Sequence, residues 1–132
     1  MKLPEHFILI DDDPFNNILN KIVLNKAFSN TKVIGFTEPE DGLDFIIKQY
    51  STTPVSTVLF LDINMPTLTG WEVMDKISSY SESLKDKITI FLLSSSIDPQ
   101  DKRKAAQNPL VRDYLEKPLS IELVVSLFNS ND

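Results

Sequence analysis

Five short apolar runs, separated by segments with helical spacing, limit the folds open to this chain. They lie at residues 7–10, 31–36, 57–61, 88–93 and 111–115, and the second is mixed enough to predict an edge strand. A short apolar run bounded by polar residues is typical of a strand buried on both faces. The segments between the runs carry apolar residues three and four apart, which favours helices. This alternation predicts a parallel sheet built from βαβ units.

The predicted fold class is α/β, with five strands and five helices in a doubly wound (βα)5 sheet. The helices are predicted at residues 14–28, 39–50, 71–80, 99–107 and 120–128. Connections between parallel strands are right-handed, so the helices should cover both faces of the sheet.

The apolar residues of three helices predict how each one packs. In the first helix the residues at core-facing spacing are Phe15, Ile18, Leu19, Ile22 and Val23. In the last helix the predicted inward residues are Ile121, Val124, Val125 and Phe128, which leaves Leu123 and Leu127 on the outer face. The fourth helix has only Ala105 and Ala106 to bury, and because helices in proteins depend on packing, it should shift easily.

Composition excludes several classes of function. The chain has 132 residues, which suits a single domain over residues 1–132. It has no cysteine, which rules out a disulfide framework, a thiolate zinc site and a thiol nucleophile. The net charge of −6 argues against a nucleic-acid surface. No apolar run approaches the ~18 residues of a membrane span, and the N-terminus lacks a signal-peptide pattern, so a cytoplasmic location is expected.

Carboxylate, hydroxyl and ammonium side chains follow the ends of the predicted strands. Asp11 and Asp12 follow the first strand, Asp62 the third, Ser94 the fourth and Lys117 the fifth. In open α/β sheets, ligands bind outside the carboxyl ends of the strands. We therefore expect these five side chains to share one crevice.

Three carboxylates in one crevice need a compensating charge. Two like charges ~4 Å apart repel by roughly 4 kcal/mol at an effective dielectric constant of about 20. Mg²⁺ prefers oxygen ligands, keeps several waters and bridges carboxylates to phosphate oxygens. Asn64, in the loop after Asp62, can offer its backbone carbonyl to such an ion. The cluster predicts a site that holds a divalent cation and a phosphoryl group together.

Lys117 and Ser94 each have a structural and a functional interpretation. Lys117 can pair with Asp62 at rest and with a phosphoryl oxygen afterwards, and a cis bond to Pro118 would fix its direction. Ser94 opens a run of three serines, where it can reach a phosphoryl oxygen or only cap the next helix. Tyr114, in the predicted fifth strand, is a residue type common in edge strands. Asp13 and Asp98, each before a proline, are predicted to be helix N-caps.

The motifs ILIDDDP, LFLDINMPTLTGWE, IFLLSSS and YLEKP occur in the order seen in the receiver domain of bacterial response regulators. The chain resembles that family over nearly its whole length. The resemblance implies a flavodoxin/CheY-like fold with strand order 2-1-3-4-5. It implies that Asp62 accepts a phosphoryl group from a sensor histidine kinase. It also implies roles for six neighbours: Mg²⁺ ligands in Asp12 (direct), Asp11 (through water) and Asn64 (backbone carbonyl), a switch hydroxyl in Ser94, a charge-pairing lysine in Lys117 and a switch aromatic in Tyr114.

The resemblance further implies an output surface and partners. Phosphorylation would switch a protein-binding face made of the fourth helix, the fifth strand and the fifth helix. The implied partners are the kinase and a downstream protein target or phosphotransfer protein. No nucleic acid or membrane partner is expected, and the protein is expected to be a monomer or a weak dimer. Ser94 replaces the commoner threonine, so its coupling to Tyr114 should be looser. The sequence leaves open a free-standing receiver, a phosphorelay intermediate or a fragment of a hybrid kinase.

Two other classes share part of this pattern. A haloacid-dehalogenase-type phosphatase also uses a strand-end aspartate, and Asp11 and Asp13 resemble its first motif. However, Pro14 and Phe15 stand where that motif needs a small residue and then Thr or Val, and the chain is short for that family. A flavodoxin-like cofactor module would need a phosphate cradle after the first strand, where the carboxylates would repel phosphate. We therefore expect a signalling domain and not an enzyme.

Overall fold

In a computed structural model of the chain, five strands form one parallel sheet. The structure describes residues 1–52, 55–80 and 82–129. The strands are β1 (His6–Ile10), β2 (Lys32–Phe36), β3 (Thr57–Asp62), β4 (Ile88–Ser94) and β5 (Val111–Glu116). Their order across the sheet is β2-β1-β3-β4-β5, and each neighbouring pair is parallel. This arrangement confirms the expected fold class and places the reversal of strand order between β1 and β3.

Helices precede or follow every strand. In the described ranges they are α1 (Pro14–Ala27), α2 (Pro39–Thr52), α3 (Gly70–Ser78), α4 (Glu82–Lys87), α5 (Pro99–Ala106) and α6 (Ile121–Phe128). The expectation of five helices was wrong, because α4 is an additional short helix directly before β4. Its sequence, ESLKDK, contains one apolar residue, so it carries no periodic pattern. None of the helices described is both long and apolar enough to cross a membrane.

Side-chain caps at the N-termini of α1, α3 and α5 fix where the chain turns. Asp13 and Asp98 each accept a hydrogen bond from a backbone N–H two residues later, at α1 and α5, as predicted. Thr69 and Glu72 form a capping box at α3. The α1 cap sets the path of the chain immediately after the acidic residues at the end of β1.

The sheet separates two apolar layers. Alternate residues of a strand point to opposite faces, so β1 contributes Ile8 and Ile10 to one layer and Phe7 and Leu9 to the other. Side chains of α2, α3 and α5 complete the first layer, and side chains of α1 and α6 complete the second. Every residue of β3 is buried. The central strand is therefore shielded on both faces.

Helix α1 presents most of its apolar stripe to solvent. Of the five residues expected to face the core, only Val23 packs against it, and the expectation for the other four was wrong. Four of its large side chains are between 36% and 63% exposed and form what we call the α1 apolar row: Phe15, Ile18, Leu19 and Ile22. The buried residues of the helix are Asn17, Asn20 and Leu24. The two asparagine amides bond to backbone groups at strand ends, which aliphatic side chains could not do.

Helix α6 buries Val124 and packs Phe128 against the core, as expected, but its rotation differs from expectation at other positions. Ile121 is exposed, whereas Leu123 and Leu127 pack against the core. Phe128 packs edge-to-face with Phe7 and Phe28, at ring-centroid distances of 5.7 and 5.3 Å. Aromatic pairs favour this geometry, and it sets the rotation of the helix. The predicted outer pair of leucines is therefore half-buried against the core.

Candidate functional site

Three carboxylates meet where β1 and β3 end. Asp11, Asp12 and Asp62 place ligand oxygens within 4.8 Å of one another. Because Ile10 pairs with Leu61 across the two strands, the next residues, Asp11 and Asp62, emerge side by side. Each of these two is only 2% exposed, whereas Asp12 is exposed. The cluster is therefore closed on the protein side and open to solvent at Asp12.

Lys117 supplies a positive charge to the same cluster. Its Nζ lies 3.1 Å from Asp11 Oδ2 and 3.4 Å from Asp62 Oδ2. The Lys117 backbone N–H donates to the Ser94 carbonyl at 2.7 Å, which ties the turn after β5 to the end of β4. The Lys117–Pro118 peptide bond is cis. The structure thus brings the lysine to Asp62, as the sequence indicated, and also pairs it with Asp11.

Burial dominates the electrostatics of Asp62 and raises its pKa from 3.8 to about 6. The backbone N–H of Asn64, 3.0 Å from Asp62 Oδ1, and the charge of Lys117 act against this pKa increase, whereas the charge of Asp11 adds to it. Burial would lower the pKa of Lys117, but the charges of Asp11 and Asp62 outweigh it and the pKa is raised. At neutral pH one ammonium group therefore faces more than one carboxylate, and negative charge is in excess.

This donor set fits Mg²⁺. Three carboxylates offer the hard oxygen ligands that the ion prefers, and the open side at Asp12 leaves room for the waters that it retains. The loop after Asp62 stays beside the cluster because the Asn64 backbone N–H donates to Asp62. Excess negative charge gives such a cation an electrostatic reason to bind.

Two hydroxyl groups converge on one backbone carbonyl beside the cluster. Ser94, buried at the end of β4, donates from Oγ to the Ser96 carbonyl at 2.7 Å. The Tyr114 hydroxyl donates to the same carbonyl at 3.4 Å, and its ring is buried. The Asn64 amide donates to Ser94 Oγ at 3.5 Å. The Ser96 carbonyl was missed by sequence reasoning, because a side-chain pattern does not reveal a backbone acceptor.

Sequence reasoning also missed three asparagines of α1. Asn16 donates to Asp11 Oδ2 at 3.4 Å, and Asn17 donates to the Asp11 carbonyl at 3.1 Å. Asn20 accepts a hydrogen bond from the backbone N–H of Leu119 at 3.3 Å. Asparagine is unfavourable inside helices, so the four asparagines of α1, these three and Asn25, were a signal that could have been used.

Comparison with known proteins gives consistent matches. Residues 7–129 match the family described as the response regulator receiver domain. A two-component response regulator from Cytophaga hutchinsonii is 30% identical, with 98% of this chain and 96% of that chain covered and a TM-score of 0.85. A response regulator receiver protein from Dyadobacter fermentans is also 30% identical, with coverages of 92% and 93% and a TM-score of 0.82.

A longer relative is the hybrid signal transduction histidine kinase I of Dictyostelium discoideum. It is 25% identical over 128 residues, which are 97% of this chain and 7% of the kinase. The chain thus spans only a small part of that relative.

Proposed function

The chain belongs to the response regulator receiver domain family of two-component signalling, and from this we propose that Asp62 accepts a phosphoryl group in a Mg²⁺-dependent reaction. The observation that carries the proposal is the placement of buried Asp62 beside Asp11, Asp12 and Lys117. In this proposal the sensor histidine kinase is the phosphodonor. The phosphorylated domain then acts as a switch for a protein partner.

The chain's own residues can perform the transfer in one step. A carboxylate oxygen of Asp62 bonds to phosphorus as the bond from phosphorus to the donor breaks, and the electron pair leaves with the donor. With a pKa of about 6, Asp62 is ionised at neutral pH and able to attack. Lys117, 3.4 Å from Asp62, can turn to a phosphoryl oxygen. Mg²⁺ held by Asp11, Asp12, Asp62 and the Asn64 carbonyl would neutralise charge on the phosphoryl group.

The α1 apolar row is the surface that we assign to the phosphodonor. Helix α1 begins at Pro14, directly after the acidic cluster, so a protein seated on the row lies next to Asp62. Single exposed apolar residues are normal, but a row of four along one helix marks an interaction site. An amphipathic helix of the kinase has the shape and apolar face to cover such a row.

The output would pass through Ser94 and the Ser96 carbonyl. When the Ser94 hydroxyl turns to the phosphoryl group, it leaves the carbonyl that Tyr114 also contacts. The capping residue of α5, Asp98, follows two residues later. Of α5 only Ala105 is buried, so little apolar packing opposes movement of the helix. We therefore assign α5, β5 and α6 as the face that a downstream protein or phosphotransfer protein reads.

Labelling with a small acyl phosphate tests the proposal. The protein with Mg²⁺ should gain one base-labile phosphoryl group, detected by intact mass, and Asp62→Asn should gain none. Asp41→Asn, an exposed position in the first turn of α2, is the matched control and should label like the parent. Equal labelling of Asp62→Asn would overturn the assignment, and sustained turnover of p-nitrophenyl phosphate would favour a phosphatase.

A further inference from the structure

The inner face of α1 contains amides where aliphatic side chains would pack. Asn20 is only 2% exposed, and Leu24, one turn further on the same face, is fully buried. A buried amide costs free energy unless its polar atoms are bonded, and asparagine weakens a helix interior. The hydrogen bond that Asn20 makes is therefore the feature that explains its presence.

Asn20 bonds to the turn that carries Lys117. Its Oδ1 accepts from the backbone N–H of Leu119, which is two residues after Lys117 and buried. Among the described residues, Asn20 Oδ1 is the acceptor for the Leu119 N–H. The bond connects α1 to the segment between β5 and α6.

The same helix is fixed to the acidic end of β1. Asn17 Nδ2 donates to the backbone carbonyls of Asp11 and Phe36, at 3.1 and 3.0 Å. Asp11 itself donates its backbone N–H to the Phe36 carbonyl. These bonds fix the position of α1 relative to Asp11. A segment that is hydrogen-bonded to α1 is therefore also positioned relative to the carboxylates.

We propose that Asn20 is a positioning residue that holds the Lys117 turn so that Lys117 Nζ stays between Asp11 and Asp62. The inference rests on the proposed phosphoryl acceptance at Asp62 and deepens it. Asn20 does not contact the reacting atoms. It acts through Leu119, and its effect should fall on phosphoryl transfer, for which Lys117 is needed, and not on Mg²⁺ binding, for which the carboxylates suffice.

Three variants separate positioning from general packing. Asn20→Leu removes the acceptor, Asn20→Asp keeps an acceptor oxygen at the same place, and Leu24→Ala disturbs α1 on the same face without touching the turn. At saturating Mg²⁺, Asn20→Leu should label at Asp62 about fivefold more slowly from a small acyl phosphate, the size of one lost hydrogen bond. Its Mg²⁺ dissociation constant, measured by calorimetry, should stay at the parent value. Asn20→Asp should recover most of the rate, and Leu24→Ala should keep it.

Amide hydrogen exchange gives a second reading that does not depend on the chemistry. Leu119 should exchange about tenfold faster in Asn20→Leu than in the parent, because the variant loses the bond to this amide. Parent-like labelling of Asn20→Leu, or equal slowing of labelling in Asn20→Leu and Leu24→Ala, would overturn the proposal. If the parent takes no label, the proposed function fails, and the positioning role is then judged from the exchange rate of Leu119 alone. Unchanged exchange of Leu119 in Asn20→Leu would refute the positioning role.

Discussion

Replacing Asp62 with Asn should stabilise the metal-free protein at neutral pH. Asp62 is 2% exposed, and its pKa is raised from 3.8 to about 6, first by burial and then by the charge of Asp11. A raised pKa means that the folded protein binds the proton more tightly than the unfolded chain. The stabilising contribution of the protonated form is therefore complete below pH 3.8 and is lost as the pH rises through about 6.

The size of the effect follows from the pKa difference. A difference of about two units, at 1.36 kcal/mol per unit, amounts to about 3 kcal/mol. Asn at this position carries no charge at any pH and retains an oxygen that can accept the hydrogen bond from the Asn64 N–H. The variant should therefore match the parent near pH 4 and exceed it by about 3 kcal/mol above pH 6.5.

Urea unfolding in the presence of a chelator, at half-unit steps from pH 4 to pH 8, measures this difference. The difference between variant and parent at each pH reports the effect of removing the Asp62 carboxylate. The variant Asp41→Asn, at an exposed site, should show no pH-dependent difference. A metal-free Asp62→Asn protein that is less stable than the parent at pH 7.5, or a difference independent of pH, would refute the reasoning.

Three further results are expected. Mg²⁺ at 100 times its dissociation constant should stabilise the parent by about 2.7 kcal/mol in thermal melts. Asp12→Ala should abolish this stabilisation and be no less stable than the parent without metal, and a less stable metal-free variant would contradict the prediction. Gly70→Ala should lower the free energy of urea unfolding by about 2 kcal/mol, because its Cβ would lie 2.7 Å from the Asp62 carbonyl oxygen. Gly35→Ala is the control, because its Cβ would lie 3.7 Å from the nearest neighbouring atom and meets no such clash. Ile22→Ser, on the exposed α1 apolar row, should change the free energy of unfolding by less than about 0.5 kcal/mol and leave labelling by a small acyl phosphate unchanged. A large loss of stability would show that the row packs against the rest of the domain.

Apolar runs predicted the sheet because burial on both faces leaves few alternatives to a parallel strand. Once the strands were placed, their carboxyl ends had to share one edge, and so the structure brings Asp11, Asp12, Asp62 and Lys117 together. A strand ends within a residue or two of its last apolar side chain, which is why this part of the site could be located from the sequence alone.

Helix orientation could not be predicted in the same way. Periodicity tells which residues share a face, but not whether that face meets the sheet or solvent. In α1 the backbone groups of Asp11, Phe36 and Leu119 need partners, and Asn17 and Asn20 supply them. Such a requirement arises only from the fold. The rotation of α6 was missed for a related reason, because it depends on ring contacts between residues distant in the chain.

The central place of β3 has a consequence for partial unfolding. Each residue of β3 is buried and the strand has a neighbour on both sides, so it should separate only when the whole domain melts. Strand β5 lies at a sheet edge, and of α5 only Ala105 is buried, so both can fray while β3 holds. In mild denaturant the chain should therefore pass through a form that keeps Asp11 and Asp62 side by side at the ends of β1 and β3 while the Lys117 turn after β5 is released.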